Sequence, residues 1–460
     1  MCDPGNAHIN EVVFSTMLTR IEIDGFKTFD RFGLDLQPLT AIVGPNASGK
    51  SNLFDALRFI SLLTQFDIRT AMQDLRGQPE ELFRKTATGV ADSISFAIEA
   101  YLDRRGVDAF GTPYEIPAQR LRYELKLGIV KNADGTPKAV VVRDERCSPI
   151  AKKGDRAVYL NNLKINYNSR VSPFIRLSEN GKAIEVRQDG RQKHGKPVLL
   201  SLKEASRTAL STITTAEFPH LYGLREVLAN MRFLEINPLA ARNANDRFEA
   251  RALKPDASNL STVLARLREE TATDTRPDGV LADISADLAS LVPSVVGLKI
   301  QNDSNQRQYS FNVQFSGGLV FSSRVISDGT LRLLALLTVL NDPNRRGTLC
   351  FEEPENGVHE GRIPMLIEFL RNAALPSNDS DIPSFQVLLN THSPKVMAAL
   401  RDTEIVLADS VTVIDAGNHT RSVKTRMRTG IVNSGDLLDP ETKLTRFEAD
   451  QLLQHKFDAA

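Results

Sequence analysis

A glycine-rich segment at residues 44–51 has the residue types best suited to holding a phosphate group. It reads Gly-Pro-Asn-Ala-Ser-Gly-Lys-Ser and fits the pattern G-x-x-x-x-G-K-[ST]. Glycines let successive backbone N–H groups turn toward one anion, and a helix that begins there adds the positive end of its dipole. Lys50 is then expected to reach the β- and γ-phosphates of a nucleotide, and the Ser51 hydroxyl to coordinate Mg²⁺.

Two adjacent carboxylates, Glu352 and Glu353, directly follow an apolar segment that ends at Phe351. Such a segment is typical of a buried strand, so both side chains are expected at the edge of a sheet. One carboxylate would hold Mg²⁺ through water, and the other would orient or deprotonate an attacking water. Paired glutamates are common on protein surfaces and usually have no functional role. Here they follow an apolar strand and a glycine-rich segment that precedes them in the chain, which favours a functional role.

Two further polar groups stand next to apolar elements. Ser327, Asp328 and Gly329 come directly before an apolar helical segment. A Ser-Asp pair there suits an ordinary helix N-cap, or a second phosphate-binding helix N-terminus that Gly329 opens to the anion. His392 follows an apolar run that ends at Thr391, and it would donate a hydrogen bond to a γ-phosphate.

The apolar patterns predict alternating strands and helices around these motifs. Residues 18–36 alternate as in half-buried strands, whereas residues 39–43 are continuously apolar, which is typical of a central strand. A helix is predicted at 51–64. Toward the end of the chain, helices are predicted at 327–341, 362–373 and 395–401, and strands at 347–353, 385–391, 404–408 and 411–415.

The middle of the chain has a different pattern. Residues 92–146 are rich in period-2 alternation, and Asn180-Gly181 between two alternating runs favours a type I′ hairpin turn. Residues 202–271 have mostly helical patterns, and residues 295–326 return to strands. No long heptad pattern is present, which argues against a coiled-coil arm.

The predicted fold class is therefore α/β, with two or three domain-sized units at about 150 residues each. Residues 18–85 and 326–416 are predicted to form one mixed β-sheet head with helices. Between them lies a large insertion, residues 86–325. It is predicted to be β-rich over 86–200, mainly helical over 201–290, and to return to strands over 291–325. Residues 417–460 are predicted to be a C-terminal tail.

Composition limits the possible classes of protein. Lys and Arg total 57 and Asp and Glu total 57, which excludes an overall polybasic nucleic-acid binder. Residues 151–200 are locally basic, with eleven basic and four acidic residues, as expected for a solvated β-face or a contact surface for nucleic acid. Three scattered cysteines argue against disulfides or a zinc site and favour the cytoplasm. No apolar run approaches the ~20 residues of a membrane span, and a signal peptide is not evident.

The order of these motifs resembles the ABC-class ATPases of the SMC/RecF/OLD group. Residues 21–27 (IEIDGFK) are similar to the first strand of that group. Residues 253–260 (LKPDASNL) and 327–336 (SDGTLRLLAL) resemble segments of its single-chain AAA-family ATPases, which occur in bacterial anti-phage defence systems. The resemblance is strong over residues 18–64 and 322–400, and it implies an ABC-type P-loop ATPase head.

The resemblance also implies cofactors, ATP and Mg²⁺, and a role for each motif. Glu352 stands where the family usually has Asp, and His359 replaces the usual Asp of the D-loop at residues 356–359. A Q-loop glutamine is not evident, although Gln73 and Gln78 are candidates. The implied roles are ATP binding by Asn46, Ala47, Ser48, Gly49, Lys50, Ser51 and Asn52, metal binding by Ser51 and Glu352, catalysis by Lys50, Glu353 and His392, and capping of a second subunit's ATP by Ser327, Asp328 and Gly329.

The resemblance implies an ATPase that forms an ATP-dependent head-to-tail homodimer, or a larger oligomer, and regulates a partner effector protein, with anti-phage defence as the leading role. The alternative is a RecF-like DNA-repair ATPase that binds DNA through residues 151–200. A transporter subunit is disfavoured by the Ser-Asp-Gly-Thr sequence and the β-rich insertion. No membrane association is expected. The chain after His392 contains no Asp-x-Asp, so a nuclease centre of the OLD type is not predicted.

Overall fold

The computed structural model describes residues 16–86, 89–160, 164–167, 172–189, 197–376, 385–415, 420–429 and 445–454. Short 3₁₀ helices connect several of the elements. The strands are β1 (Met17–Asp24), β2 (Phe32–Asp35), β3 (Leu39–Val43), β4 (Lys85–Thr86), β5 (Gly89–Val90), β6 (Ser93–Tyr101), β7 (Arg105–Val107), β8 (Pro113–Glu115), β9 (Arg120–Lys131), β10 (Pro137–Pro149), β11 (Ile175–Leu177), β12 (Ala183–Val186), β13 (Val198–Ser201), β14 (Arg232–Leu234), β15 (Asn245–Asp246), β16 (Val295–Asp303), β17 (Gln308–Phe315), β18 (Val320–Ser322), β19 (Gly347–Glu352), β20 (Phe385–Thr391), β21 (Ile405–Asp415) and β22 (Thr420–Thr429). The α-helices are α1 (Lys50–Leu63), α2 (Ile68–Gln73), α3 (Pro219–Ala229), α4 (Pro238–Ala241), α5 (Leu260–Thr271), α6 (Leu281–Leu291), α7 (Asp328–Leu340), α8 (Ile363–Ala373), α9 (Pro394–Ala399) and α10 (Arg446–Gln454).

A six-stranded sheet in the order β14-β19-β20-β3-β21-β22 forms the centre of the fold. Its first five strands run parallel, and β22 is antiparallel to β21. All five residues of β3 are buried between β20 and β21, which confirms the predicted central strand. Because the carboxyl ends of parallel strands meet at one edge, the segments that follow β3, β19 and β20 lie together.

A second sheet is antiparallel and has eight strands in the order β13-β12-β11-β10-β9-β6-β1-β2. Its strands β1 and β2 come from the N-terminal part of the predicted head, whereas the other six come from the predicted insertion. The sheet therefore crosses the predicted boundary at residues 85/86. Strand β14, also within the predicted insertion, belongs to the parallel sheet, and β22 adds part of the predicted tail to that sheet.

Two apolar cores lie on opposite faces of the parallel sheet. Helix α1 is buried between the two sheets, where Phe59 packs with its ring centroid 6.2 Å from that of Phe26 and 6.0 Å from that of Phe96. The other face of the parallel sheet packs against helices α5 to α8. Within β3 the sides alternate, since Ile42 belongs to the first core, and Ala41 and Val43 to the second.

One buried amide joins the two sheets. The Gln386 Nε2 group donates to the Leu18 carbonyl at 2.8 Å and to the Gln37 carbonyl at 3.0 Å. Its Oε1 accepts from the Leu18 N–H at 3.2 Å and from the Thr348 hydroxyl at 3.0 Å. Gln386 is fully buried, so these four bonds satisfy a polar group that would otherwise be costly to bury.

Several local predictions are wrong in detail. The strands predicted at 404–408 and 411–415 form one strand, β21, because β22 pairs with it continuously. The hairpin at residues 175–186 is present, but its turn is not type I′. Only Gly181 has a positive φ there, at 66°, whereas a type I′ turn needs positive φ at both of its central residues. Residues 202–271 contain α3, α4 and α5 but also β14 and β15. In the described parts of the chain, no helix combines the length and apolarity needed to cross a bilayer.

Candidate functional site

The glycine-rich loop connects the central strand β3 to helix α1. Ala47 and Gly49 have left-handed φ values of 62° and 91°. A Cβ atom on Gly49 would lie only 2.0 Å from the Thr425 Oγ1 atom of β22, so both backbone conformation and close packing require glycine. The Gly44 N–H donates to the Thr391 carbonyl at 3.1 Å, which fixes the loop against the end of β20.

The side chains of this loop fit a phosphate-bearing ligand. The Lys50 ammonium donates to the carbonyls of Gly44 and Pro45, both at 2.7 Å, so it lies directly over the loop. The Ser48 hydroxyl is buried and has no hydrogen-bond partner among the described residues. Asn46 and Ala47 are exposed at the tip. A buried hydroxyl without a partner is uncommon, and a phosphate oxygen would satisfy it.

Ser51 and Glu352 meet across the start of α1 and the end of β19. The Ser51 hydroxyl donates to Glu352 Oε2 at 3.1 Å. A hydroxyl and a carboxylate are ligands that Mg²⁺ accepts, and this ion usually takes its other ligands from water and substrate phosphates. Among the described residues, no group of three or more His, Cys, Asp or Glu side chains is arranged to hold a metal ion. An ion at Ser51 and Glu352 would therefore need water and phosphate oxygens as its other ligands.

An arginine that the sequence analysis missed lies beside this pair. The Arg76 guanidinium donates from Nη2 to Glu352 Oε1 at 3.3 Å and to Asp55 Oδ1 at 3.0 Å. Gln73 and Gln78, the glutamine candidates from the same segment, have no hydrogen bond to the site. The sequence gives no signal for Arg76, because its contact with Glu352 spans 276 positions.

Glu353 has different neighbours from Glu352. Its backbone is left-handed, with φ 50°, and its N–H donates to the Asn390 carbonyl at 2.9 Å. Its Oε1 lies 3.1 Å from His392 Nδ1, and its Oε2 accepts from the Asn356 amide at 2.7 Å. The unusual backbone conformation thus holds the carboxylate between a histidine and an amide at the end of β20, away from Ser51.

Asn52 and Glu355 complete the surroundings of the site. The Asn52 amide donates to the Thr28 hydroxyl at 2.9 Å, so this residue ties α1 to the loop between β1 and β2. Glu355, which the sequence analysis did not single out, accepts from the Thr391 hydroxyl at 2.5 Å. Burial raises the pKa of the Glu355 carboxyl above its ordinary value, although the hydrogen bond from Thr391 opposes this.

The Ser327 to Gly329 segment forms the start of α7, as the N-cap interpretation predicts. The Ser327 Oγ accepts from the Thr330 N–H at 3.3 Å. Gly329 stands against the segment predicted as the D-loop, because a Cβ on Gly329 would lie 2.8 Å from Gly357 Cα. Positions 329 and 357 both need glycine, because a Cβ atom at either position would clash with the backbone of the other.

The other predicted D-loop and signature residues make local contacts. Asp328 accepts from the Arg242 guanidinium at 2.5 Å, and Arg242 also donates to the Ile326 carbonyl at 2.8 Å. His359 caps the next short helix, since its Nδ1 accepts from the Gly361 N–H at 3.2 Å. The structure therefore brings Lys50, Ser51, Glu352, Glu353 and His392 around one sheet edge. It places Ser327 to Gly329 beside residues 356–359.

Short segments of the chain are similar to chromosome partition proteins. One alignment of 44 residues is 52% identical to Smc of Methanocaldococcus jannaschii, and it covers 9% of this chain and 4% of that protein. Another of 45 residues is 49% identical to Smc of Bacillus subtilis, with the same coverage of 9% and 4%. The chain thus matches a small fraction of the length of these relatives.

Two comparisons extend over most of the chain. A crystal structure of the SmcHead bound to the C-winged helix domain of ScpA has a TM-score of 0.48 and 13% sequence identity, and covers 90% of this chain and 98% of that one. The family described as "AAA domain, putative AbiEii toxin, Type IV TA system" matches residues 39–398, a range that includes the predicted nucleotide-binding, metal-binding and catalytic residues. The chain therefore belongs to this AAA-domain family.

Proposed function

We propose that this chain binds ATP with Mg²⁺ and hydrolyses it to ADP and phosphate. The observation that carries the proposal is the meeting of two contacts at one sheet edge. Ser51 lies 3.1 Å from Glu352, and Glu353 lies 3.1 Å from His392. Both pairs lie next to a loop whose buried Ser48 hydroxyl has no partner among the described residues.

Each side chain has a task in this proposal. Bound Mg²⁺–ATP would supply a polarised γ-phosphate, with Ser51 and Glu352 holding the ion. Lys50 would move from the loop carbonyls to the phosphate oxygens and offset their charge. Glu353 would accept the proton of the attacking water at one carboxylate oxygen, while His392 would hold Glu353 and contact the γ-phosphate.

The first test is the Lys50→Ala variant. It should lose ATP hydrolysis and bind nucleotide more weakly, because the charge that meets the β- and γ-phosphates is removed. The matched control is Lys395→Ala, which removes a lysine that is 54% exposed and paired with Glu360. Phosphate release and calorimetric titration with ATP would measure both effects. Full-rate hydrolysis by the Lys50→Ala chain would refute the assignment of the loop.

We further propose that two copies enclose ATP head to tail, each covering the other's nucleotide with Ser327, Asp328 and Gly329. The position of this segment supports the proposal, because Ser327 and Asp328 are exposed at the N-terminus of α7, where backbone N–H groups favour an anion. A Glu353→Gln chain should form dimers with ATP, and adding Ser327→Arg should abolish them. Light scattering would measure the mass. A Glu353→Gln chain that stays monomeric at saturating ATP would remove the sandwich model.

The leading biological role in this proposal is control of an effector protein in anti-phage defence, within the cytoplasm. Two observations support it. The matching family is described as a putative toxin of a Type IV toxin–antitoxin system, and six strands of the eight-stranded sheet lie outside the predicted ATPase head. The isolated chain should cut neither DNA nor RNA, and it should form a nucleotide-dependent complex with a protein encoded nearby. Coexpression and pull-down would test the complex. Metal-dependent nuclease activity that a change outside the ATP site abolishes would contradict it.

The alternative is a DNA-binding repair ATPase of the RecF type. The excess of basic over acidic residues in 151–200 favours it. Part of that charge is already paired, since Arg176 lies 2.7 Å from Glu185. Lys152 and Lys153 are exposed, and the structure records no acidic partner for either in the part of the chain it describes. Stimulation of ATP turnover by double-stranded DNA, with a steep dependence on salt, would favour this alternative.

A further inference from the structure

Arg242 makes three contacts with the segment that leads into helix α7. Its Nη2 group donates to the Ile326 carbonyl at 2.8 Å and to Asp328 Oδ1 at 2.5 Å. Its backbone carbonyl accepts from the Ser323 hydroxyl at 2.7 Å. Arg242 therefore holds residues 323–328, which include the first part of the proposed ATP-capping segment, although it lies 81 to 86 positions earlier in the chain.

The position of Arg242 is set by the parallel sheet. This residue directly follows the short helix α4, which the Asn237 side chain caps. Residues 235–237 join α4 to β14, and β14 pairs in parallel with β19, the strand that ends at Glu352. The Arg242 side chain is only 17% exposed, so its guanidinium has a defined place against the start of α7.

The ion pair between Arg242 and Asp328 adds little to folding stability. Asp328 is 69% exposed, and an ion pair with one partner in solvent contributes little to the free energy of folding. A carboxylate in the first turn of a helix is also favoured by the helix dipole without any arginine beside it. Folding stability therefore does not account for an arginine at this position.

The charge of Asp328 conflicts with the proposed role of the segment. Ser327 and Asp328 are exposed at the N-terminus of α7, which is the surface proposed above to cover the nucleotide of a second copy. A phosphate group placed there would meet the Asp328 carboxylate, and like charges placed together at an interface weaken association. The Arg242 guanidinium removes this conflict, because it carries the opposite charge and bonds directly to that carboxylate.

We propose that Arg242 is a positioning residue of the ATP-capping segment. It neutralises the Asp328 carboxylate, so that the start of α7 can receive the triphosphate of the ATP bound to a second copy. Asp328 then offers its backbone N–H to the nucleotide, and its side chain serves to pair with Arg242. The proposal rests on the head-to-tail model above, and it names a residue outside the capping segment on which that model depends.

The two contacts of Arg242 Nη2 have different consequences, so they can be tested separately. The bond to the Ile326 carbonyl fixes the backbone before α7, whereas the bond to Asp328 sets the local charge. Loss of the arginine removes both bonds. Removing the charge of Asp328 as well compensates only for the second loss, so recovery in the double variant identifies charge as the cause.

The test uses the full chain with Glu353→Gln as the parent, because ATP should stay bound to it and dimers should accumulate. Light scattering over a range of protein concentrations at saturating ATP gives the dissociation constant of the dimer. Adding Arg242→Gln should raise this constant at least about tenfold, because each dimer then contains two carboxylates without a counterion. Adding Asp328→Asn to the Arg242→Gln chain should return the constant to within about threefold of the parent value.

A matched ion pair and a salt series serve as controls. Arg276 pairs with Asp283 in the first turn of α6 through two contacts of 2.8 Å, and α6 is not part of the proposed interface. Arg276→Gln should therefore leave the dissociation constant at the parent value. The weakening caused by Arg242→Gln should shrink as salt is added, because salt screens repulsion between exposed charges, whereas loss of a purely structural contact should not depend on salt in this way.

Two further variants keep the proposal testable if Arg242→Gln fails to fold, which thermal melting would show. Arg242→Lys keeps the charge but loses the planar fork, so it should give an intermediate dissociation constant. Asp328→Asn alone should dimerise at least as tightly as the parent. Unchanged dimerisation with Arg242→Gln, no recovery with Asp328→Asn, or weaker dimers with Asp328→Asn alone would overturn the proposal and leave the head-to-tail model standing. A parent chain that stays monomeric at saturating ATP would refute both.

Discussion

Replacing Glu353 with glutamine should stop ATP turnover while leaving ATP binding and the fold in place. Glu353 is held by Asn356 at 2.7 Å and by His392 at 3.1 Å. Glutamine keeps one oxygen that can accept from Asn356, but its amide cannot take a proton from water. The substitution therefore removes the proposed base with little change in the shape of the site.

The magnitude follows from the role and the exposure of the side chain. Loss of a general base typically lowers a rate by about 10²–10⁴-fold, which corresponds to roughly 2.7–5.4 kcal/mol of barrier. The folding cost should be below about 1 kcal/mol, because the Glu353 side chain is 35% exposed and its contact with His392 is screened by solvent. The loss of ATP turnover in Glu353→Gln should thus be much larger than its loss of folding stability.

Phosphate release at saturating ATP measures the rate, calorimetry measures ATP affinity, and thermal melting measures stability. Glu360→Gln is the matched control, because Glu360 is 70% exposed and its ion pair in the described part of the chain is with Lys395, so its turnover should equal that of the unchanged chain. Glu352→Gln should instead raise the Mg²⁺ concentration needed for half-maximal turnover, since it alters the proposed metal ligand.

Two results would refute this reasoning. If Glu353→Gln keeps more than about a tenth of the turnover, Glu353 is not the general base. If Glu352→Gln is the variant that binds ATP but does not turn it over, while Glu353→Gln changes the Mg²⁺ requirement, the two roles are exchanged.

Three other predictions concern a buried amide, a glycine of the phosphate-binding loop and a buried carboxylate. Gln386→Leu leaves buried groups of both sheets without partners and should lower the free energy of unfolding by about 3–5 kcal/mol in urea, whereas the exposed Gln301→Leu should change it by less than about 0.5 kcal/mol. Gly49→Ala forces a Cβ against Thr425 at a left-handed φ, so calorimetry should show at least about tenfold weaker ATP binding, and Thr425→Gly should restore part of it. Burial raises the pKa of Glu145 to about 7 from an ordinary 4.5. The folded state therefore keeps a proton that the unfolded state releases, and the free energy of unfolding should fall by about 3 kcal/mol as the pH rises from 4.5 to 7. Urea unfolding of Glu145→Gln should show a much smaller slope over that range.

Three strands of the parallel sheet, β3, β19 and β20, were predictable because each has a continuous apolar pattern and ends in a recognisable polar group. Residues 39–43 end at the glycine-rich loop, and residues 385–391 end at His392. Both strands have the predicted bounds. Because parallel strands place their carboxyl ends together, the approximate geometry of the site follows from local patterns alone.

The contacts that refine the site were not predictable in this way. Arg76 reaches Glu352, and Gly329 touches Gly357, through tertiary packing that leaves no periodic pattern in the sequence. Strand β14 was missed because three residues, Arg232–Leu234, carry too short a pattern and owe their conformation to pairing with β19. The order of strands in the antiparallel sheet could not be predicted either, since an alternating pattern indicates a strand but does not show which strand pairs with it.

The position of β3 has a consequence for how the chain folds as it is synthesised. Among the described strands, β3 pairs with β20 and β21 alone, and both leave the ribosome hundreds of residues later. The bond between Leu18 and Gln386 joins positions 368 residues apart. Such non-local pairing is slow to form, and it leaves an apolar strand with two unpaired edges in the meantime.

Pairing in the antiparallel sheet has no such delay. The partners of β1, β2, β6, β9 and β10 are much closer in the sequence, so each strand can pair soon after it leaves the ribosome. The expected order is therefore an early antiparallel layer that shelters α1, followed by closure of the parallel sheet when β20 and β21 arrive. Nascent chains that stop before residue 385 should depend on chaperones and be prone to aggregation. The glycine-rich loop would take its final shape only after β20 and β21 have emerged, although it is encoded far earlier in the chain.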